Sequence, residues 1–214
     1  MMKLYYLPGS CALAAHICLE HAKADYQAVR IERGYNRTPE YLAINPFGSV
    51  PTLETGDGRR IFENSAVLLH IGDNCGGRLA PPIGSPERDD LHALLSYMTT
   101  TVHPAFAALW RPERFAAHSS GHPLVEEAAL TRLKAAFEWL NARLGLNETL
   151  LGGEMSVVDA MLFVLCRWGY RIMPSTEDYE HLHAFCRAKA EMPAVRAAME
   201  EEQIDLLWPK QGLG

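Results

Sequence analysis

Lys3-Leu4-Tyr5-Tyr6-Leu7-Pro8-Gly9-Ser10-Cys11 decides how this chain folds. Its first five residues read as a short β-strand, and Pro8-Gly9-Ser10 turns the chain straight into a helix over residues 11–23. A strand that feeds a helix so directly is the opening of a βαβ unit. The same junction sets one thiol at a helix start. Unpaired N–H groups and the positive end of the helix dipole stabilise a thiolate there and lower its pKa, with Ser10 placed as N-cap. A lone cysteine is also a common small core residue, so position alone leaves Cys11 open between packing and chemistry.

Outward from that stretch, residues 26–31 read as a second strand, with a helical turn near 38–43. Residues 50–54 and 59–62 form a hairpin around Thr55-Gly56-Asp57-Gly58, because Asp-Gly supplies the positive φ of a tight turn. A helix over 65–75 completes the order βαβ then ββα, a small α/β unit. Gly76-Gly77-Arg78-Leu79-Ala80-Pro81-Pro82-Ile83-Gly84-Ser85-Pro86 is rich in helix and strand breakers and divides the chain into domains 1–78 and 86–214, with 79–85 as linker. Beyond it the pattern is helical over 87–111, 123–144, 156–168, 178–189 and 193–203, with Pro123 and Pro193 in first turns and Gly145 after a helix. The fold class is α/β plus all-α.

Composition narrows the function. Apolar residues at 48% and charged residues at 21% describe an ordinary globular chain. A formal charge of −6 argues against a general nucleic-acid or anionic-membrane surface, which needs clustered Lys and Arg. The longest apolar run, 160–166, is too short to cross a bilayer, and Pro8-Gly9-Ser10 interrupts any secretory apolar stretch, so the expected location is cytoplasmic. Five cysteines without a C-x-x-C pair suit free thiols in a reducing compartment. His181, His183 and Cys186 lie close in sequence, but no second cluster completes a tetrahedral site, so no metal is expected.

Three further segments carry chemistry. In Ser49-Val50-Pro51, Pro51 marks an edge strand or a cis Val50–Pro51 bond, and the latter leaves the Val50 backbone open to an extended peptide-like ligand. In Glu63-Asn64-Ser65, Asn64 or Ser65 caps a helix whose N-terminus can hold a carboxylate, while Glu63 can hold an ammonium. An α-amino acid head would meet both groups; ordinary capping beside a surface Glu is the plainer reading. Ser156-Val157-Val158-Asp159 is a capping box ahead of an apolar helix, assigned to folding.

Taken together, Tyr6-x-Pro8-Gly9-Ser10-Cys11, Ser49-Val50-Pro51, Glu63-Asn64-Ser65-Ala66 and Gly153-x-x-Ser156-x-x-Asp159 resemble the glutathione S-transferases, most closely the bacterial beta class, over nearly the whole chain. The resemblance implies a thioredoxin-like N-terminal domain that binds glutathione as co-substrate. It also implies an all-helical C-terminal domain that forms the pocket for a small hydrophobic electrophile, and assembly as a homodimer. By the same resemblance Cys11 sits at the glutathione sulfur, His103 reaches toward it from the helical domain, and Tyr6 stands where other classes use a tyrosine. Val50 pairs with the cysteinyl backbone between Ser49 and a cis Pro51, and Glu63 and Asn64 take the γ-glutamyl head. Arg33 or Arg37 holds the glycyl carboxylate, and Ser96 touches the γ-glutamyl group of the partner subunit's ligand. Pro104 departs from the polar or basic residue common in the family. The electrophile site is expected around Phe106, Trp110, Phe115 and Trp168.

The implied reaction is attack by the glutathione thiolate on a soft electrophile. Two rivals stand beside it. One is a monothiol disulfide oxidoreductase or peroxidase using Cys11, since Ala14 occupies the position of a second C-x-x-C thiol. The other is a non-catalytic glutathione-binding module.

Overall fold

The structure is a computed structural model that describes residues 1–145 and 147–205. Strand β1 (Met2–Tyr6) lies inside a four-stranded sheet of order β2-β1-β3-β4. It pairs in parallel with β2 (Tyr26–Arg30) and antiparallel with β3 (Thr52–Glu54), which carries β4 (Arg60–Phe62) through the expected hairpin. Helix α1 (Ala12–Ala22) makes the crossover, α2 (Pro39–Leu42) leads back toward β3, and α3 (Asn64–Asn74) follows β4. This is the thioredoxin-like order expected from sequence, and no strand follows Phe62 among the described residues.

Successive side chains of β1 alternate between the two faces of the sheet. Leu4 enters the main core and Tyr6 packs on His16 of α1, with ring centroids 5.3 Å apart. Tyr5 goes to the other face, into a small cluster with Ile31 and Tyr41. Both faces are covered, so β1 is buried through Leu4, Tyr5 and Tyr6.

The second half is built from α4 (Pro86–Tyr97), α5 (His103–Trp110), α6 (His122–Leu144), α7 (Val157–Gly169), α8 (Glu180–Ala190) and α9 (Pro193–Glu202). Helix α1 is the seam between the halves. It packs on α3 from its own half and on α7 and α9 from the other, and every residue from Ala12 to Leu19 is buried. One hydrophobic core therefore runs from Leu4 and Leu53 of the sheet through Ile17 to Val157 and Phe163 of α7. The capping box of α7 is present: the Asp159 carboxylate accepts from Ser156 N–H at 2.8 Å, from the Ser156 hydroxyl at 2.7 Å and from Leu150 N–H at 2.8 Å. Desolvation pushes that buried carboxyl above its ordinary range, and these donors pull against the shift.

One expectation fails. The single helix over 87–111 is broken into α4 and α5 by a π-helical stretch, Met98–Val102. Pro104 has no N–H to give the carbonyl one turn back, and a widened turn is a common way for a helix to absorb that loss.

Candidate functional site

The helical half fixes the loop between β1 and α1 from both sides. Gly9 N–H donates to Glu202 Oε2 at 2.7 Å, and Gly9 C=O accepts from Trp168 Nε1 at 3.0 Å. Gly9 holds a φ of 68°, and a Cβ there would come within 3.3 Å of Arg167 Nη1, so glycine answers both the conformation and the space. The other Glu202 oxygen lies 3.1 Å from His16 Nδ1, and both side chains are fully buried. With the carboxylate as acceptor, this network puts the imidazole proton on Nδ1.

With the loop held in this way, α1 starts at Cys11, whose side chain makes no cap. Ser10 Oγ accepts from Ala12 N–H at 3.3 Å, a weak form of the expected cap. Cys11 is 8% exposed, and its Sγ donates to Val50 C=O at 3.6 Å. At Cys11 burial opposes the lowering that a helix start gives a thiol. Burial pushes the thiol up to about 12, with the charges of Glu63 and Glu202 adding to the rise. The backbone N–H groups of Cys11 and Ala12 do lower it, as a helix start should, but desolvation is the larger effect.

Cys11 lies at one end of a cavity of about 260 Å³. Ser49 and Val50 form one wall, ahead of a cis Val50–Pro51 bond. Their loop is pinned from behind: Asn45 Nδ2 donates to Ser49 C=O at 2.9 Å, Tyr41 hydroxyl donates to the same oxygen at 2.8 Å, and both reach Thr52 Oγ1. Gly48 makes this turn possible, since a Cβ there would meet Asn36 O at 2.6 Å. Glu63, Asn64 and Ser65 form the next wall. Helix α3 begins one residue earlier than expected: Glu63 is the N-cap, and no side chain closes the cap. Glu63 has φ 65° and ψ 128°, a conformation that costs a non-glycine residue roughly 1–3 kcal/mol and clusters at ligand sites. Asn64 Nδ2 donates to Met161 Sδ at 3.2 Å, while its buried Oδ1 has no protein partner.

Thr99, Thr100 and His103 complete the lining. Thr99 and Thr100 belong to the π-helical stretch, and His103 opens α5 directly after it. Burial holds the His103 imidazole below its ordinary pKa, and its ring lies 5.4 Å from that of Trp168.

Three candidates stand elsewhere. Tyr6 points with Leu4 toward α1, under the strand alternation, and burial raises its phenol. Ser96 is exposed, a turn before the wall, and its carbonyl is taken by the Thr99 and Thr100 hydroxyls at 3.3 Å and 2.8 Å. Arg33 lines a second cavity of about 600 Å³, together with Gly9, Arg111, Arg167 and Arg171. Trp110 and Trp168 line it, whereas Phe106 is fully buried against both and Phe115 is exposed and not among its lining residues. No group of His, Cys, Asp and Glu that could hold a metal occurs among the described residues, nor does a helix long and apolar enough to cross a membrane.

Sequence reading missed Thr99, Thr100 and Glu202. Pro104 was the available signal for the first two. Glu202 had none, because its partner Gly9 lies 193 positions away.

The chain resembles known proteins in both halves. Residues 1–73 match the family model of the glutathione S-transferase N-terminal domain, and residues 101–188 match that of the C-terminal domain. The chain is 32% identical over 207 residues to glutathione S-transferase GstA of Escherichia coli O157:H7, covering 95% of this chain and 100% of the relative. A bacterial beta class glutathione S-transferase of Sphingomonas chungbukensis superposes with a TM-score of 0.84 at 33% identity, over 95% of this chain and 100% of that one. A sphingomonad glutathione S-transferase complexed with glutathione gives 0.84 at 32% identity, again over 95% and 100%.

Proposed function

We propose, from the premise that the chain belongs to the glutathione S-transferase family, that it binds glutathione in the Cys11 cavity and transfers the thiolate to an electrophile held in the second cavity, lined in part by Gly9. The observation that carries this reading is convergence. Cys11, the Val50 carbonyl, the uncapped start of α3 with Glu63, and His103 come from four separate stretches of chain and line one cavity of about 260 Å³.

Each group has a partner in the tripeptide. The γ-glutamyl carboxylate goes to the N-terminus of α3 beside Asn64 and Ser65, and the ammonium goes to Glu63. The cysteinyl backbone pairs along Val50, which brings its sulfur to Cys11. An unionised Cys11 is a donor: once the ligand backbone takes its place at Val50, the Cys11 S–H turns to the incoming thiolate and stabilises it together with the N–H groups of the α1 start. His103, held neutral by burial, accepts the thiol proton. The thiolate sulfur then bonds to the electrophilic carbon as the leaving group departs with its electron pair. A Cys11 thiol held at about 12 favours this transfer over the monothiol oxidoreductase, whose first step needs Cys11 as thiolate. The proposal includes a homodimer in the cytoplasm, with Ser96 of α4 exposed to a partner subunit.

Calorimetric titration with glutathione and turnover of 1-chloro-2,4-dinitrobenzene test the reading. Saturable heat is expected, with a loss of affinity of about tenfold or more in Glu63→Ala. The absence of both heat and turnover overturns it.

A further inference from the structure

The second cavity is not the apolar pocket that a hydrophobic electrophile would need. Arg33, Arg111, Arg167 and Arg171 line its walls, and no Asp or Glu does so among the described residues, in a chain of formal charge −6. Arg167 is 7% exposed. Its Nε and Nη2 are spent on the Asp205 carbonyl at 3.2 and 2.8 Å, which holds the guanidinium plane with Nη1 beside Gly9. Arg171 is near enough for its charge to oppose that of Arg167, and Glu202 and Asp205 act the other way. Arg33 and Arg171 have no ion-pair partner among the described residues, and Arg111 has only an exposed Glu113 at 3.8 Å. Four guanidinium groups line this cavity, two of them without an ion-pair partner among the described residues, and such a gathering suits an anion.

The aromatic part of the same wall sets the other half of the requirement. Trp110 and Trp168 meet at 5.3 Å and 69°, leaving Trp110 half exposed beside the arginines. Trp168 of this cavity also lies beside His103 of the Cys11 cavity, with ring centroids 5.4 Å apart, which brings the two cavities close together.

We propose that this cavity selects an aromatic electrophile that carries an oxyanion such as a carboxylate, its ring on Trp110 and Trp168 and its anion on Arg111, Arg167 and Arg171. The inference rests on the glutathione transferase reading and revises the hydrophobic electrophile expected from sequence. For an aryl chloride the step is substitution: the thiolate forms a C–S bond at the ring carbon, the C–Cl bond breaks, and chloride leaves with the electron pair.

The test compares 4-chloro-3,5-dinitrobenzoate with its neutral methyl ester, each kcat/KM divided by the uncatalysed rate with glutathione. The acid is expected to exceed the ester by about tenfold or more, and Arg171→Met and Arg111→Met are each expected to cut that ratio by about tenfold. A ratio at or below one, or a ratio unmoved in both variants, overturns the proposal. So does a rise in the KM for glutathione with the ratio intact, which would assign the arginines to glutathione's own glycyl carboxylate. In these cases retained glutathione heat leaves the transferase reading standing, whereas loss of heat and of turnover with both substrates removes both.

Discussion

The first turns of α1 and α7 are both buried, yet they are completed in opposite ways. At α7 the chain supplies its own acceptor, and Asp159 takes three donors in 2.7–2.8 Å bonds. At α1 the one side-chain acceptor in the first turn, among the described residues, is Ser10 Oγ, 3.3 Å from Ala12 N–H, and Cys11 sits in that turn with its thiol pushed up by burial. Burial alone therefore does not tell a structural helix start from a functional one. On the proposed reading, what separates them is whether the negative partner belongs to the protein or arrives with a ligand.

The comparison breaks most easily at α7. Asp159→Ala strands Leu150 N–H and both Ser156 donors in the core and should cost roughly 3 kcal/mol, read as a lower urea midpoint at constant slope. A loss below about 1 kcal/mol would mean that α7 does not depend on its cap.

Next in size is Glu202→Ala, which leaves Gly9 N–H and His16 Nδ1 without their shared acceptor. A stability loss of about 2 kcal/mol is expected, together with a fall in kcat, because Gly9 positions the α1 start. If kcat holds while stability falls, the clamp serves folding alone.

The pH dependence sharpens the same contrast. The Cys11 pKa is raised on folding from 9.0 to about 12, so its contribution to stability is full below pH 9 and is lost as pH climbs toward 12. Iodoacetamide should accordingly modify Cys11 of the free protein slowly at neutral pH, with a rate still climbing above pH 9 and no plateau near pH 7. His103 is depressed on folding, so its contribution is present above about pH 6.5 and is lost on acidification below that value. The smallest effect is Glu63→Gln, which removes a charge that raises the Cys11 pKa. Alkylation should speed up about twofold, the effect of one partly screened charge. No change would mean that Glu63 has no part in holding the thiol neutral.

Local rules made much of this protein legible in its residues. The β1–α1 junction, the Asp57-Gly58 hairpin, the helical second half and the α7 capping box depend on neighbours within a few positions. Cys11, Val50, Glu63 and Asn64 could be named because each sits at a junction whose backbone groups are left over by those same rules. Distant partners set everything that concerns charge and access. Cys11 is neutral because residues from both halves bury it near Glu63 and Glu202; Thr99 and Thr100 reach the cavity from a π-helical turn; and four arginines spread from position 33 to 171 line one cavity. Hydrogen-bond geometry is short-ranged and follows chain order, whereas desolvation and Coulomb energy depend on distances in space, which exist only once α1 is packed between the two halves.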